Sequence, residues 1–229
     1  MANHLKSLNA PASWPVKRKT TKFSLRPLPG KPMHECMPMG LVFKNLLKDA
    51  RTMKEVKAIM NDKEILVDGR RVKDPKYPLG LMDVLSIPVS DEQYVLLVNE
   101  SEKLCLQKID KKESSFKVSK IIGKTVLKGG KMQLNMYDGK NIIVKDGKFA
   151  VGDSAVLSLP DYKIRDTLKL EKGSYAFLTS GSHTGQHGSI ENVSASGLVK
   201  IKTKKEEFET PRESVYVVGK KEPVVKFKE

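Results

Sequence analysis

Between Met39 and Ile87 the apolar positions change their spacing once, from a helical period to an alternating one. Leu41, Val42, Leu46, Leu47 and Ala50 recur at roughly three- and four-residue intervals, which places them on one face of a helix. A second helix starts at Thr52, three residues before Glu55 in the arrangement of a capping box. Met53, Val56, Ile59 and Met60 follow at helical spacing. The two apolar faces are expected to pack together, leaving Lys44, Lys48, Arg51, Lys54 and Lys57 pointing mostly outward. From Glu64 onward the pattern alternates. Glu64–Val67 and Arg71–Val72 flank Asp68-Gly69, a dipeptide suited to the positive φ angles of a hairpin turn, so Arg70 and Arg71 are expected at an exposed turn. Asp74-Pro75 makes a further bend, and Asp83–Ile87 reads as a closing strand.

Downstream of residue 90 only short alternating runs occur. Those between 91 and 172 are Tyr94–Val98, Lys103–Leu106, Phe116–Val118, Thr125–Leu127, Met132–Met136, Asn141–Val144 and Ser154–Leu159. Gly129-Gly130, Asp138-Gly139 and Asp146-Gly147 punctuate them, as expected of an antiparallel meander closing into a small barrel. Val151–Val156 is expected to be a turn glycine leading into a strand. Residues 173–218 form another such unit, in which Gly181, Gly185 and Gly188 let the backbone bend sharply and approach a partner closely. Val199–Lys202 and Val215–Val218 supply further strands, Lys204–Glu207 a solvated turn, and 219–229 a charged tail.

The segment ahead of the helices differs from both. Residues 1–34 contain Lys6, Lys17, Arg18, Lys19, Lys22, Arg26 and Lys31 but no acidic residue, and five prolines block regular structure. An extended arm, flexible until it meets a polyanion, is the expectation for 1–38. Lys17-Arg18-Lys19 carries its densest charge, and Trp14 is placed either to stack on a base or to anchor the arm to the body. The whole chain has a formal net charge of +15 and a pI near 9.6. A balance of that size attracts nucleic-acid phosphates above other partners. No apolar run approaches the ~20 residues that cross a bilayer, and the N-terminus lacks the apolar centre of a secretory signal, so no membrane partner is expected. Cys36 and Cys105 stand apart and in no zinc-binding pattern. His183 and His187 have the spacing of helical metal ligands, yet the surrounding glycines forbid a stable helix and no Cys, Asp or Glu joins them. A loop role is therefore expected, and no metal or other cofactor. Nothing beyond residue 90 combines a nucleophile with a base, a phosphate-binding loop or paired carboxylates, which argues against an enzyme and against a small-molecule substrate.

The helix pair, the run Ile65–Pro75 and the run Gly80–Ile87 (GLMDVLSI) together resemble the S-four RNA-binding domain. With "LMDVLSIP", Trp14-Pro15 and Arg26–Gly30, the chain is similar over nearly its whole length to the archaeal and eukaryotic small-subunit ribosomal family S-four-e. Gly173–Ile190 resembles the KOW motif, which forms an SH3-like barrel. The usual basic residue between its first two glycines is replaced here by Ser182-His183-Thr184. The resemblance implies an α+β, mostly β fold: a basic arm (1–38), an S-four-like domain (39–90), a central β-rich domain (91–172), a KOW barrel (173–218) and a tail. It also implies a structural role in the cytoplasmic ribosome, with small-subunit ribosomal RNA and neighbouring ribosomal proteins as partners. The family's RNA-binding surface carries over to Arg51, Lys54, Lys57, Arg70, Arg71, Lys73 and Lys76, beside Lys17, Arg18, Lys19, Lys22 and Arg26 of the arm and His183 of the glycine-rich loop. The alternatives are a KOW-bearing transcription-elongation-type factor and an accessory protein of RNA modification.

Overall fold

The first helix begins as one α-helical turn, α1 (Met39–Leu41), and widens at once into a π-helical stretch over Val42–Leu47. It stops at Lys48, whose φ of 64° is left-handed. Leu41, Val42 and Ala50 are buried as the periodicity requires, and so is Phe43, which the helical spacing did not select. The second helix, α2 (Met53–Asp62), opens with the expected capping box. The Thr52 side chain accepts from the Glu55 amide (3.3 Å), and Glu55 Oε2 accepts from the Thr52 and Arg51 amides (3.4 and 2.8 Å). The structure is a computed structural model and describes residues 4–144, 148–194, 197–203 and 206–225.

Two compact units divide the chain, Met1–Ser114 and Ser115–Glu229. In the first, the short pairs β1 (Leu5–Lys6) with β2 (Phe23–Ser24) and β3 (Cys36–Pro38) with β6 (Pro78–Gly80) flank a five-stranded sheet. Its strands β4 (Leu66–Val67), β5 (Arg70–Arg71), β7 (Val84–Ile87), β8 (Glu92–Val98) and β9 (Leu104–Lys108) run in the order β5-β4-β7-β8-β9. The core joins helix residues Val42, Phe43, Val56 and Met60 to Ile65, Leu79, Leu85 and Leu96 of the sheet region.

Two expectations change here. The sequence pattern puts residues 91–108 in a central domain, but β8 pairs with β7 in the register Val84↔Val95 and β9 continues the same sheet. Pro88–Ser90 with Asp91 (φ 51°) is a hairpin turn and not a linker. The arm, too, is folded. Trp14 is 1% exposed and its indole N–H donates to the Cys36 carbonyl at 2.7 Å. Lys31 forms an ion pair with the buried Asp83, which also accepts from the Gly80 amide at 2.7 Å. The prolines do keep this segment irregular. Several of its apolar residues, among them Trp14, Val16, Leu25 and Met33, pack against a core supplied by the later chain, which a segment-by-segment composition argument leaves out.

In the second unit β10 (Phe116–Val126), β11 (Met132–Met136), β12 (Asn141–Val144), β13 (Ser154–Ser158) and β14 (Lys163–Leu168) form one antiparallel sheet in the order β12-β11-β10-β13-β14. Phe116–Val118 and Thr125–Leu127, expected as two strands, fall largely in the single bent strand β10, with a bulge between Ile121 and Gly123. Leu134, Met136 and Leu157 lie beneath it. A second sheet holds β15 (Tyr175–Leu178), β16 (His187–Val193), β17 (Leu198–Lys202), β18 (Glu207–Pro211) and β19 (Val215–Gly219), in the order β18-β17-β16-β15-β19. The fold is thus α+β and mostly β, as the sequence implies. The expected turn at Asp146-Gly147, Lys204 and Lys205 of the expected solvated turn, and the last four residues of the tail lie outside the described residues.

Candidate nucleic-acid interface

The Asp68-Gly69 turn has φ of 50° and 76°, both positive, and links Val67↔Arg70 and Leu66↔Arg71 across a two-residue loop. Asp68 is 2% exposed and its carboxylate accepts from the Val84 amide at 3.0 Å. The acid of the turn is therefore directed inward, and the two arginines that follow are exposed. Arg71 donates to the Asn61 carbonyl in the last turn of α2 at 3.3 Å, so hairpin and helix adjoin. On α2, Lys54 and Lys57 are three residues apart and exposed, as is Arg51 just ahead of the helix. Glu55, the acid between the two lysines, is engaged by the helix start. Hydrogen bonds from the Arg51 amide and the Thr52 hydroxyl hold its carboxyl below the ordinary range. Among the described residues Lys54, Lys57 and Lys73 have no ion-pair partner. The start of α2 is also a partially positive helix end.

The N-terminal cations divide into groups. Arg26 lies beside Lys76 of the first unit, in one groove with Lys31. The Leu28 amide donates to the Lys76 carbonyl at 2.9 Å, which fixes that neighbourhood. Lys17, Lys19 and Lys22 are exposed and Arg18 is half-buried. Lys17 lines a different groove, with Lys44 and Lys48 of the first helix. The sequence places those two lysines outward without marking them as site residues; their four-residue spacing is the signal that joins them.

His183 belongs to the second unit. Its ring stacks on Phe208 with centroids 3.8 Å apart and planes 6° from parallel. Thr184 donates to the Gly181 carbonyl at 2.5 Å, and Gly181 and Gly185 have φ of 96° and 82°, so the loop is tightly turned. His187 meets the Tyr175 hydroxyl at 2.7 Å through Nδ1. The two histidines thus have separate partners within the sheet. At Gly188 a Cβ would lie 2.3 Å from the Lys202 carbonyl oxygen, which is why no side chain fits where β16 passes β17. No helix among the described residues is long and apolar enough to cross a membrane.

Three family models match the chain: the RS4NT domain over residues 1–31, the S4 domain over 47–85, and ribosomal family S4e over 90–164. The S4 match spans α2 and the hairpin and ends inside the closing strand β7. The small ribosomal subunit protein eS4 of Methanococcus maripaludis strain C6 is 40% identical, over 97% of this chain and 96% of the relative. That of Methanothermobacter thermautotrophicus is 37% identical, over 97% and 94%. The crystal structure of the 30S ribosomal protein S4e from Thermoplasma acidophilum superposes with a TM-score of 0.71 at 31% identity, covering 81% of this chain and 95% of that one. These relationships show the family: the chain belongs to ribosomal family S4e, a family of structural proteins and not of enzymes.

Proposed function

We propose that this protein is a structural constituent of the small ribosomal subunit in the cytoplasm, and that it binds ribosomal RNA and holds its fold beside neighbouring ribosomal proteins. The observation that carries the reading is the α2 and hairpin face inside the S4 match, where Arg51, Lys54, Lys57, Arg70, Arg71 and Lys73 are all exposed. Lys76 and Arg26 extend it, and Lys17, Arg18, Lys19 and Lys22 add charge from the N-terminal segment. Phosphate contacts supply most of the affinity, and the shape of the RNA supplies much of the specificity, because the bases of an A-form duplex are poorly accessible to side chains. The second unit contributes a KOW-type barrel whose glycine-rich turn approaches RNA with backbone more than with charge, since His183 is stacked on Phe208.

Sedimentation of a lysate on a sucrose gradient tests this. The expected outcome is co-migration with the small subunit after a moderate salt wash, together with a steep fall of affinity for small-subunit RNA as salt rises. A protein that stays at the top of the gradient, or a flat salt response, contradicts it.

A further inference from the structure

The groove lined by Lys17, Lys44 and Lys48 in the first unit has a volume of about 660 Å³. The segment from Pro15 to Leu25 forms one wall, and the first helix with Met53 forms the other. Its base is apolar, with Leu41 buried and Leu25 and Met53 half-buried. Gly40 makes that base possible, because a Cβ there would come within 2.7 Å of Leu25 Cδ2 and 3.0 Å of Met53 Sδ. The Asn45 amide, donating to the Pro15 carbonyl at 3.3 Å, ties the walls together. Phe23 lines the groove at 49% exposure, and the Lys22 ammonium stands 5.6 Å from its ring centroid. Lys17, Lys44 and Lys48 line the groove too, and among the described residues no carboxylate does.

We propose that this groove holds an unpaired nucleotide of the RNA, with its base stacked on Phe23 and its phosphates met by Lys17, Lys44 and Lys48. A purely apolar groove would suit a protein helix. One surrounded by lysines, with no acid facing it, suits a polyanion that also presents an apolar face. A half-exposed aromatic ring among cations is the combination that binds single strands, where every base offers a π-face. A duplex keeps its bases stacked and offers only backbone to such a ring, so the ligand is single-stranded. The inference rests on the RNA-binding reading above and adds a second, chemically different contact to it.

The test uses the full chain carrying Phe23→Trp, titrated with a single-stranded uridine decamer, with inorganic polyphosphate and with polyglutamate. Trp14, 1% exposed, gives a constant background. The decamer is expected to quench the new tryptophan saturably, while the other two polyanions leave it unchanged. Separately, Phe23→Leu is expected to weaken decamer binding by about 5- to 150-fold, the equivalent of one base–aromatic stack. Phe23→Tyr should restore binding, and thermal unfolding and the binding of a duplex RNA should stay as in the parent. Equal quenching by polyglutamate would overturn the proposal in favour of an acidic peptide, and an unchanged decamer affinity in Phe23→Leu would overturn it outright. In that second case a loss of duplex binding in Lys54→Ala/Lys57→Ala leaves the ribosomal reading standing. If the parent chain binds neither RNA, both readings fall.

Discussion

Lys54 and Lys57 on α2 and Lys200 and Lys202 on β17 are two pairs of lysines, each on one face of its element. Their surroundings differ. The α2 pair flanks a glutamate that is already engaged by the helix start. The β17 pair lies between Glu191 of β16 and Glu207 of β18, with four N–O distances from 2.8 to 3.6 Å. Hydrogen bonds to Glu207 raise the pKa of both β17 lysines, and the same bonds lower that of Glu207. One pair is available to a polyanion, and the other is largely neutralised by its own sheet. A count of basic residues cannot separate the two; the cross-strand register can.

The strongest test of this contrast removes one side of it. Gly188→Val places side-chain atoms against the Lys202 carbonyl, a backbone group that cannot swing away, and should destabilise the C-terminal sheet by about 3 kcal/mol in denaturant unfolding. If RNA affinity survives at a temperature where that sheet has opened, the α2 face is sufficient for it. Asp68→Ala disturbs the opposite side, because it leaves the Val84 amide without its side-chain acceptor and puts alanine at a left-handed turn position that aspartate tolerates better. A loss of about 2 kcal/mol is expected by the same measurement, with weaker RNA binding as the arginines lose their fixed placement.

The smaller effects concern charge alone. Lys54→Ala/Lys57→Ala should leave the unfolding curve unchanged and flatten the slope of log affinity against log salt by about 1.4 to 1.8, read from binding isotherms at several salt concentrations. Lys200→Ala/Lys202→Ala should change that slope by less than about 0.5, because those charges already have partners. Acid should bring the two pairs closer together. The folded pKa of Glu207 lies below the ordinary 4.5, so its contribution to stability is present above that value and fades as pH falls through the folded one. Below it the β17 lysines lose that neutralising partner.

Much of the α2 face was legible in the sequence. Thr52 and Glu55 name a capping box by spacing alone, and Asp68-Gly69 names its turn by the φ angles it tolerates. Both are local devices, complete within a few residues. The features that escaped are non-local. Lys31 reads as one more cation of a basic arm until Asp83, 52 residues later, is found beside it. The run after Pro88 reads as the start of a new domain until Val95 pairs with Val84. His183 reads as a loop residue free to meet RNA, and only the course of β18 brings Phe208 under its ring. The Phe23 groove was hidden for the same reason, since its two walls are separated in the chain by the whole of the segment between Leu25 and Gly40.

The burial of Trp14 also has a consequence in time. During synthesis residues 12–14 emerge early, but the groups that hold them emerge late. The Cys36 carbonyl accepts from the indole, the Leu104 amide donates to the Ser13 carbonyl at 2.8 Å, and the Lys103 ammonium reaches the Ala12 carbonyl. Once out of the translating ribosome, this stretch must therefore wait for some ninety more residues before it can settle, and long-range closures of that kind slow folding. Until then a strongly basic segment is exposed on the nascent chain, free to be met first by RNA.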